Sequence, residues 1–124
     1  MTDLADLVDR YIAIWNEPDS GKRAAAISEL FTADGTYTDP VAEVRGHEGI
    51  GAVIAGVRDQ FKGMDLKVLG DTDAHHNIAR FQWELVFADG GENSVIGFDV
   101  LATDGTTGKI KSIYGFLDKV PAGA

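Results

Sequence analysis

Val95-Ile96-Gly97-Phe98-Asp99-Val100-Leu101-Ala102 is apolar on both of its alternating faces. An antiparallel strand with one wet face would alternate apolar and polar residues, so this strand is covered on both sides. One face fits over helices and a pocket. The other fits a second subunit, which predicts a homodimer through the sheet. Turn chemistry brackets the strand, with Asp89-Gly90-Gly91 before it and Asp104-Gly105 after it. Working outward, a period of two predicts strands over 65–75, 77–88, 93–103 and 109–119. Phe81, Trp83, Leu85 and Phe87 share one parity. Core packing and a pocket wall account for that aromatic face equally well.

Upstream the period is helical. Leu4, Leu7, Val8, Tyr11 and Trp15 form one buried stripe of a helix over 3–16, broken by Asn16-Glu17-Pro18-Asp19. Asp19 or Ser20 caps a second helix whose Ala24, Ile27, Leu30 and Phe31 face inward. Asp34-Gly35 turns the chain into a short strand near 36–39, closed by Pro40. A third helix over 47–62 carries Ile50, Val53, Ile54, Val57 and Phe61 on one face and ends at Lys62-Gly63. Helices followed by strands specify an α+β fold in one domain, residues 1–124.

Composition narrows the function. With 124 residues and 44% apolar residues, the chain can bury one real core. It has no cysteine, which excludes disulfides, thiolate metal sites and a cysteine nucleophile. A reducing cytoplasm fits, and no charged start leads into an apolar run, so no signal peptide is expected. No apolar run approaches the ~20 residues of a membrane span. The net charge of −9 and the scattered basic residues argue against nucleic acid. There is no phosphate-cradling glycine motif and no Gly-x-Ser-x-Gly elbow.

Three residues stand out chemically. Asp39 follows Tyr37 on the same strand face, with Pro40 fixing the backbone after it. It reads as a general base raised in pKa by a half-apolar pocket, or as a carboxylate capping a turn. Asp99 sits mid-strand among apolar residues, where a charge is costly unless paired. It reads as a protonated acid that donates to an oxyanion, as a salt-bridge partner of Arg80, or as a group exposed at a dimer edge. Tyr11 lies on the apolar stripe, either as a core tyrosine or as a donor. His75 and His76 cannot chelate one ion if both lie in a strand, because neighbours point to opposite faces. His76 is expected in the pocket, His47 at the start of the third helix, and no metal is expected.

These residues together resemble the ketosteroid isomerases. Asp9-Arg10-Tyr11-Ile12-Ala13 is similar to the family's helix with the oxyanion tyrosine, and Leu30 to Val41 to its segment ending in the general base, Asp39-Pro40-Val41. Phe98-Asp99 matches its protonated aspartic acid, and Gly108 to Ile113 its last strand. The resemblance runs over nearly the whole chain. It implies a nuclear transport factor 2-like (cystatin-like) cone, in which three N-terminal helices pack on a curved mixed or antiparallel sheet that encloses a pocket. It also implies that Asp39 moves a proton while Tyr11 and neutral Asp99 hold an enolate oxygen, without a cofactor. Ile54 stands where the family often has a supporting tyrosine. His75-His76 and Arg80 to Trp83 look more like the SnoaL-like polyketide cyclases of the same fold.

From the helices, the expected pocket lining is Trp15, Ile54, Val57 and Phe61. From the strands it is Phe81, Trp83, Tyr114, Phe116 and His76. The expected ligand is a small apolar carbonyl compound. The expected activity is double-bond isomerisation. An aldol-type cyclase, a dehydratase using His75 or His76, and a non-catalytic apolar-ligand binder are the alternatives.

Overall fold

A computed structural model describes residues 3–88 and 94–120. Helix α1 (Leu4–Asn16) starts where the Asp3 carboxylate accepts from the amides of Ala5 and Asp6, at 3.0 and 3.2 Å. Helix α2 (Ser20–Leu30) starts in the same way, on Asp19. Its buried stripe is Arg23, Ile27 and Leu30; Ala24, expected inside, is exposed. Arg23 takes the inner place because its Nη1 donates to the Glu17 carbonyl at 2.7 Å, which leaves its stem to pack. Helix α3 (Gly46–Gln60) buries Ile50 and Ile54.

The strands are β1 (Phe31–Thr38), β2 (Glu43–Arg45), β3 (Asp65–His75), β4 (Ile78–Val86), β5 (Ser94–Thr103) and β6 (Ile110–Lys119). They form one mixed sheet in the order β2-β1-β6-β5-β4-β3, in which only β1 and β6 run parallel. The Asp89-Gly90-Gly91 turn lies outside the described residues. Register irregularities in β1, β3, β5 and β6 curve the sheet around the helices without closing it.

β1 is longer than the expected 36–39. Phe31 already pairs with Ile110, and the Asp34-Gly35 turn survives as a bulge before Thr36. A Cβ on Gly35 would stand 3.1 Å from Phe31 Cδ2 and 3.2 Å from the Thr32 carbonyl. His47 secures this bulge. It lies in the first turn of α3, and its Nε2–H donates to the carbonyls of Phe31 and Thr32 at 3.1 and 3.0 Å.

The core lies between the helices and one sheet face, with Tyr11, Phe31, Phe81 and Ile54 at its centre. None of the helices among the described residues is long and apolar enough to cross a membrane.

Candidate functional site

Tyr11, Asp39 and Asp99 reach the same interior from α1, the end of β1 and the middle of β5. Asp39 closes the β1–β2 connection. Its Oδ1 accepts from the amides of Val41 and Ala42 at 2.9 and 2.8 Å, and its Oδ2 accepts from the Tyr37 hydroxyl at 2.6 Å. The turn-capping reading of this residue is visible, and its second oxygen is held by the Tyr37 hydroxyl. Tyr37 was not among the expected site residues, although its shared parity with Asp39 was visible. Burial above all, with the neighbouring Tyr11 and the bond to Asp39, pushes the Tyr37 phenol well above its usual range.

Asp99 is 5% exposed, and its Oδ1 accepts from Trp83 Nε1 at 2.9 Å. Burial pushes its carboxyl up to about 7; the Trp83 bond opposes this and the charge of Asp39 adds to it. Two glycines make the arrangement possible. A Cβ on Gly97 would press on the Phe116 carbonyl oxygen and stand 2.5 Å from Trp83 Cζ2, so only glycine fits beside the β6 backbone and under the indole that reaches Asp99. A Cβ on Gly115 would stand 3.0 Å from Asp99 Oδ1 and 3.3 Å from Asp39 Cβ. A single added methyl group would thus touch both aspartates.

Tyr11 is fully buried. Its ring meets those of Trp15, Phe31 and Phe81 edge-on, at centroid distances of 6.5, 6.0 and 6.2 Å. Its hydroxyl and the Trp15 Nε1–H are buried without a hydrogen-bond partner among the described residues. Burial first, then the charge of Asp99, hold the Tyr11 pKa well above its usual value. These rings pack into the interior where an enclosed pocket was expected. Hollows of about 300 and 370 Å3 lie instead on the outer sheet face, beside Arg80 and Phe98, and between α2 and α3.

The remaining lining residues divide. Trp83 bonds Asp99, Phe81 meets the Tyr11 ring, and Ile54 is buried in the same core, against which Val57 packs. Phe61 pairs with Phe87 at 5.2 Å, at the far end of α3. Tyr114 and Phe116 are corrections. They flank the inward-facing Gly115 and are 45% and 50% exposed on the outer face, where Phe116 stacks on Phe98 at 4.8 Å. His76 is a second correction. It is exposed in the β3–β4 turn with φ 52°, a conformation that histidine tolerates better than most residues, and His75 is exposed beside it. The Asp99–Arg80 pairing is a third. Arg80 pairs with Val100 across the strands and points to the outer face, while Asp99 faces the helices. Among the described residues no group of three or more acidic, histidine or cysteine side chains gathers around a metal position.

The sequence pattern of the SnoaL-like domain matches residues 8–113, most of the chain. The chain belongs to the SnoaL-like domain family. A presumed isomerase of the SnoaL-like family from Agrobacterium tumefaciens is 32% identical, with 93% of this chain and 97% of that one covered and a TM-score of 0.87. A presumed SnoaL-like polyketide cyclase from Jannaschia is 15% identical, with 92% and 86% covered and a TM-score of 0.72. A presumed ketosteroid isomerase from Kribbella flavida is 16% identical, with 93% and 77% covered and a TM-score of 0.69. At those lower identities the likeness is one of fold, the nuclear transport factor 2-like fold. No curated protein matches the sequence.

Proposed function

We propose that this SnoaL-like protein is a cofactor-free isomerase of small apolar carbonyl compounds, acting by proton transfer through an enolate. The observation that carries this reading is the convergence of an unpartnered, buried Tyr11 hydroxyl with two carboxyls placed around Gly115. Asp39 removes a proton next to the carbonyl and returns it elsewhere on the same skeleton. Tyr11 and protonated Asp99 donate to the oxygen as charge develops there. A placed proton-transfer group contributes about 10²–10⁴-fold, and one oxyanion donor roughly 10²–10³. Asp99 titrates near 7, so it can donate below that pH; above it, a second negative charge faces the enolate. A ligand reaches these groups only by displacing a ring, since Tyr11 is fully buried. The likeness to a presumed SnoaL-like isomerase at 32% identity supports the reaction class.

The test is absorbance-monitored conversion of a β,γ-unsaturated ketosteroid to its conjugated enone, with Asp39→Asn alongside. Turnover well above buffer that collapses in the variant supports the reading. No turnover removes the steroid substrate.

The same groups serve an aldol-type cyclase. The turn-capping bonds of Asp39 are what a non-catalytic apolar-ligand binder would also show. The dehydratase alternative loses its support, because both strand-end histidines are exposed at a turn. The proposal includes a cytoplasmic location, which the cysteine-free sequence fits. It also includes a homodimer through the outer sheet face, where Phe98, Tyr114 and Phe116 form an apolar surface.

A further inference from the structure

Trp15 stands one helical turn beyond Tyr11 on α1, so both side chains leave the helix on the same face. Its backbone is held from two sides. Arg58 Nη1 donates to the Trp15 carbonyl at 2.7 Å, and the Asn16 side chain exchanges two bonds of 2.8 Å with the backbone of Leu66. The Trp15 ring contacts Tyr11 on one side. On the other it approaches Tyr37, the donor to Asp39, at 6.0 Å. The indole thus links the two poles of the site.

An indole N–H can only donate, and a buried donor without an acceptor is costly. Of the two tryptophans in the chain, Trp83 gives its proton to Asp99. Trp15 gives its proton to no described residue, and neither does Tyr11, at the same place. The indole N–H points at the Tyr11 oxygen closely enough to lower the phenol's pKa as a hydrogen-bond donor does, though outside good hydrogen-bond geometry. Among the described residues the hydroxyl oxygen is the acceptor the indole faces, and the hydroxyl proton itself has none.

We propose that the Trp15 indole N–H and the Tyr11 hydroxyl donate together to one oxygen of the ligand, which makes Trp15 a third oxygen donor of the site beside Tyr11 and Asp99. The inference rests on the function proposed above and narrows its substrate class. An enolate oxygen has three lone pairs, enough for Trp15, Tyr11 and Asp99, and no proton of its own to place. An amine or ammonium group does not.

The probe is 2-naphthol, whose hydroxyl on a flat apolar ring imitates an enol. In a nitrogen-15 proton spectrum the two indole N–H groups give two signals, assigned with Trp15→Phe. Naphthol binding is expected to move the Trp15 signal downfield, whatever shift Trp83 shows through its bond to Asp99. Trp15→Phe, which keeps an aromatic ring, is expected to weaken binding roughly three- to tenfold, the loss of one neutral hydrogen bond. A Trp15 signal that stays in place while naphthol binds, and while Tyr11→Phe weakens that binding, overturns the inference and leaves the proposed function standing. Failure of naphthol to bind, or binding indifferent to Tyr11→Phe, removes both. Should Trp15→Phe fail to fold, the spectra of the unaltered protein decide alone, with the signals assigned through Trp83→Phe.

Discussion

Replacing Trp83 with phenylalanine removes one proton donor from Asp99 and leaves a ring over Gly97. The lost bond, 2.9 Å from Nε1 to Oδ1, stabilises the ionised carboxylate of a residue that is 5% exposed. A hydrogen bond to a charged group contributes about 1.5–3 kcal/mol, and each 1.36 kcal/mol moves a pKa by about one. The Asp99 carboxyl, near 7 with Trp83 in place, is therefore expected at about 8–9 without it. The direction follows from the donor: removing it penalises only the charged form, so the proton is held to higher pH. A carbon-13 titration of the aspartate carboxyls reads this directly. If turnover is found, its alkaline limb moves up by the same amount, because Asp99 keeps its donating proton longer. An Asp99 pKa that stays put or falls in Trp83→Phe would refute this account of the electrostatics.

Other consequences follow from the same geometry. The Asp99 carboxyl titrates near 7 when folded against a reference value of 3.8, so between those values the unfolded chain binds fewer protons. The stability it contributes is full below pH 3.8 and is lost as pH rises through about 7, on the order of 4 kcal/mol in all. Urea unfolding at several pH values is expected to show that slope in the native protein and to lose it in Asp99→Asn. Gly115→Ala places a methyl between both aspartates, which costs about 1–3 kcal/mol of stability by overpacking and roughly 10²-fold of any turnover by misplacement. Thermal melts and rates with wild-type activity would contradict it. Phe116→Asp puts a charge on the half-exposed outer face. Light scattering is expected to show a dimer that this change dissociates, and a native monomer at micromolar concentration would end the dimer proposal.

Much of the fold was legible because each element carries its own local signal. The Leu7, Val8, Tyr11, Trp15 stripe marks α1, and the Asp19 cap marks the start of α2. β2 was missed because three residues are too few to show a period. The site was legible in its aspartates, each an anomaly in its own segment. Its supporting parts were not, because they depend on strand register. Gly115 stands opposite Asp99 across β5 and β6, and only that pairing assigns Tyr114 and Phe116 to the outer face. Taken by themselves, two aromatics near the end of the chain read as pocket lining. His76 was misplaced for a related reason, since alternation holds within a strand and fails at the turn residue itself. The contact from Trp83 to Asp99 needs the glycine at 97 to let the indole cross, a condition the sequence contains but does not announce.

Proton abstraction next to a carbonyl is the central claim, and deuterium exchange measures it without assuming the product. A β,γ-unsaturated cyclic ketone is incubated with the protein in heavy water, and loss of its α-proton signal is followed by NMR. Exchange is expected well above buffer, largely lost in Asp39→Asn and reduced in Tyr11→Phe. Exchange no faster than buffer, or unchanged in Asp39→Asn, would contradict it and leave the buried donors and carboxyls as parts of a binding site.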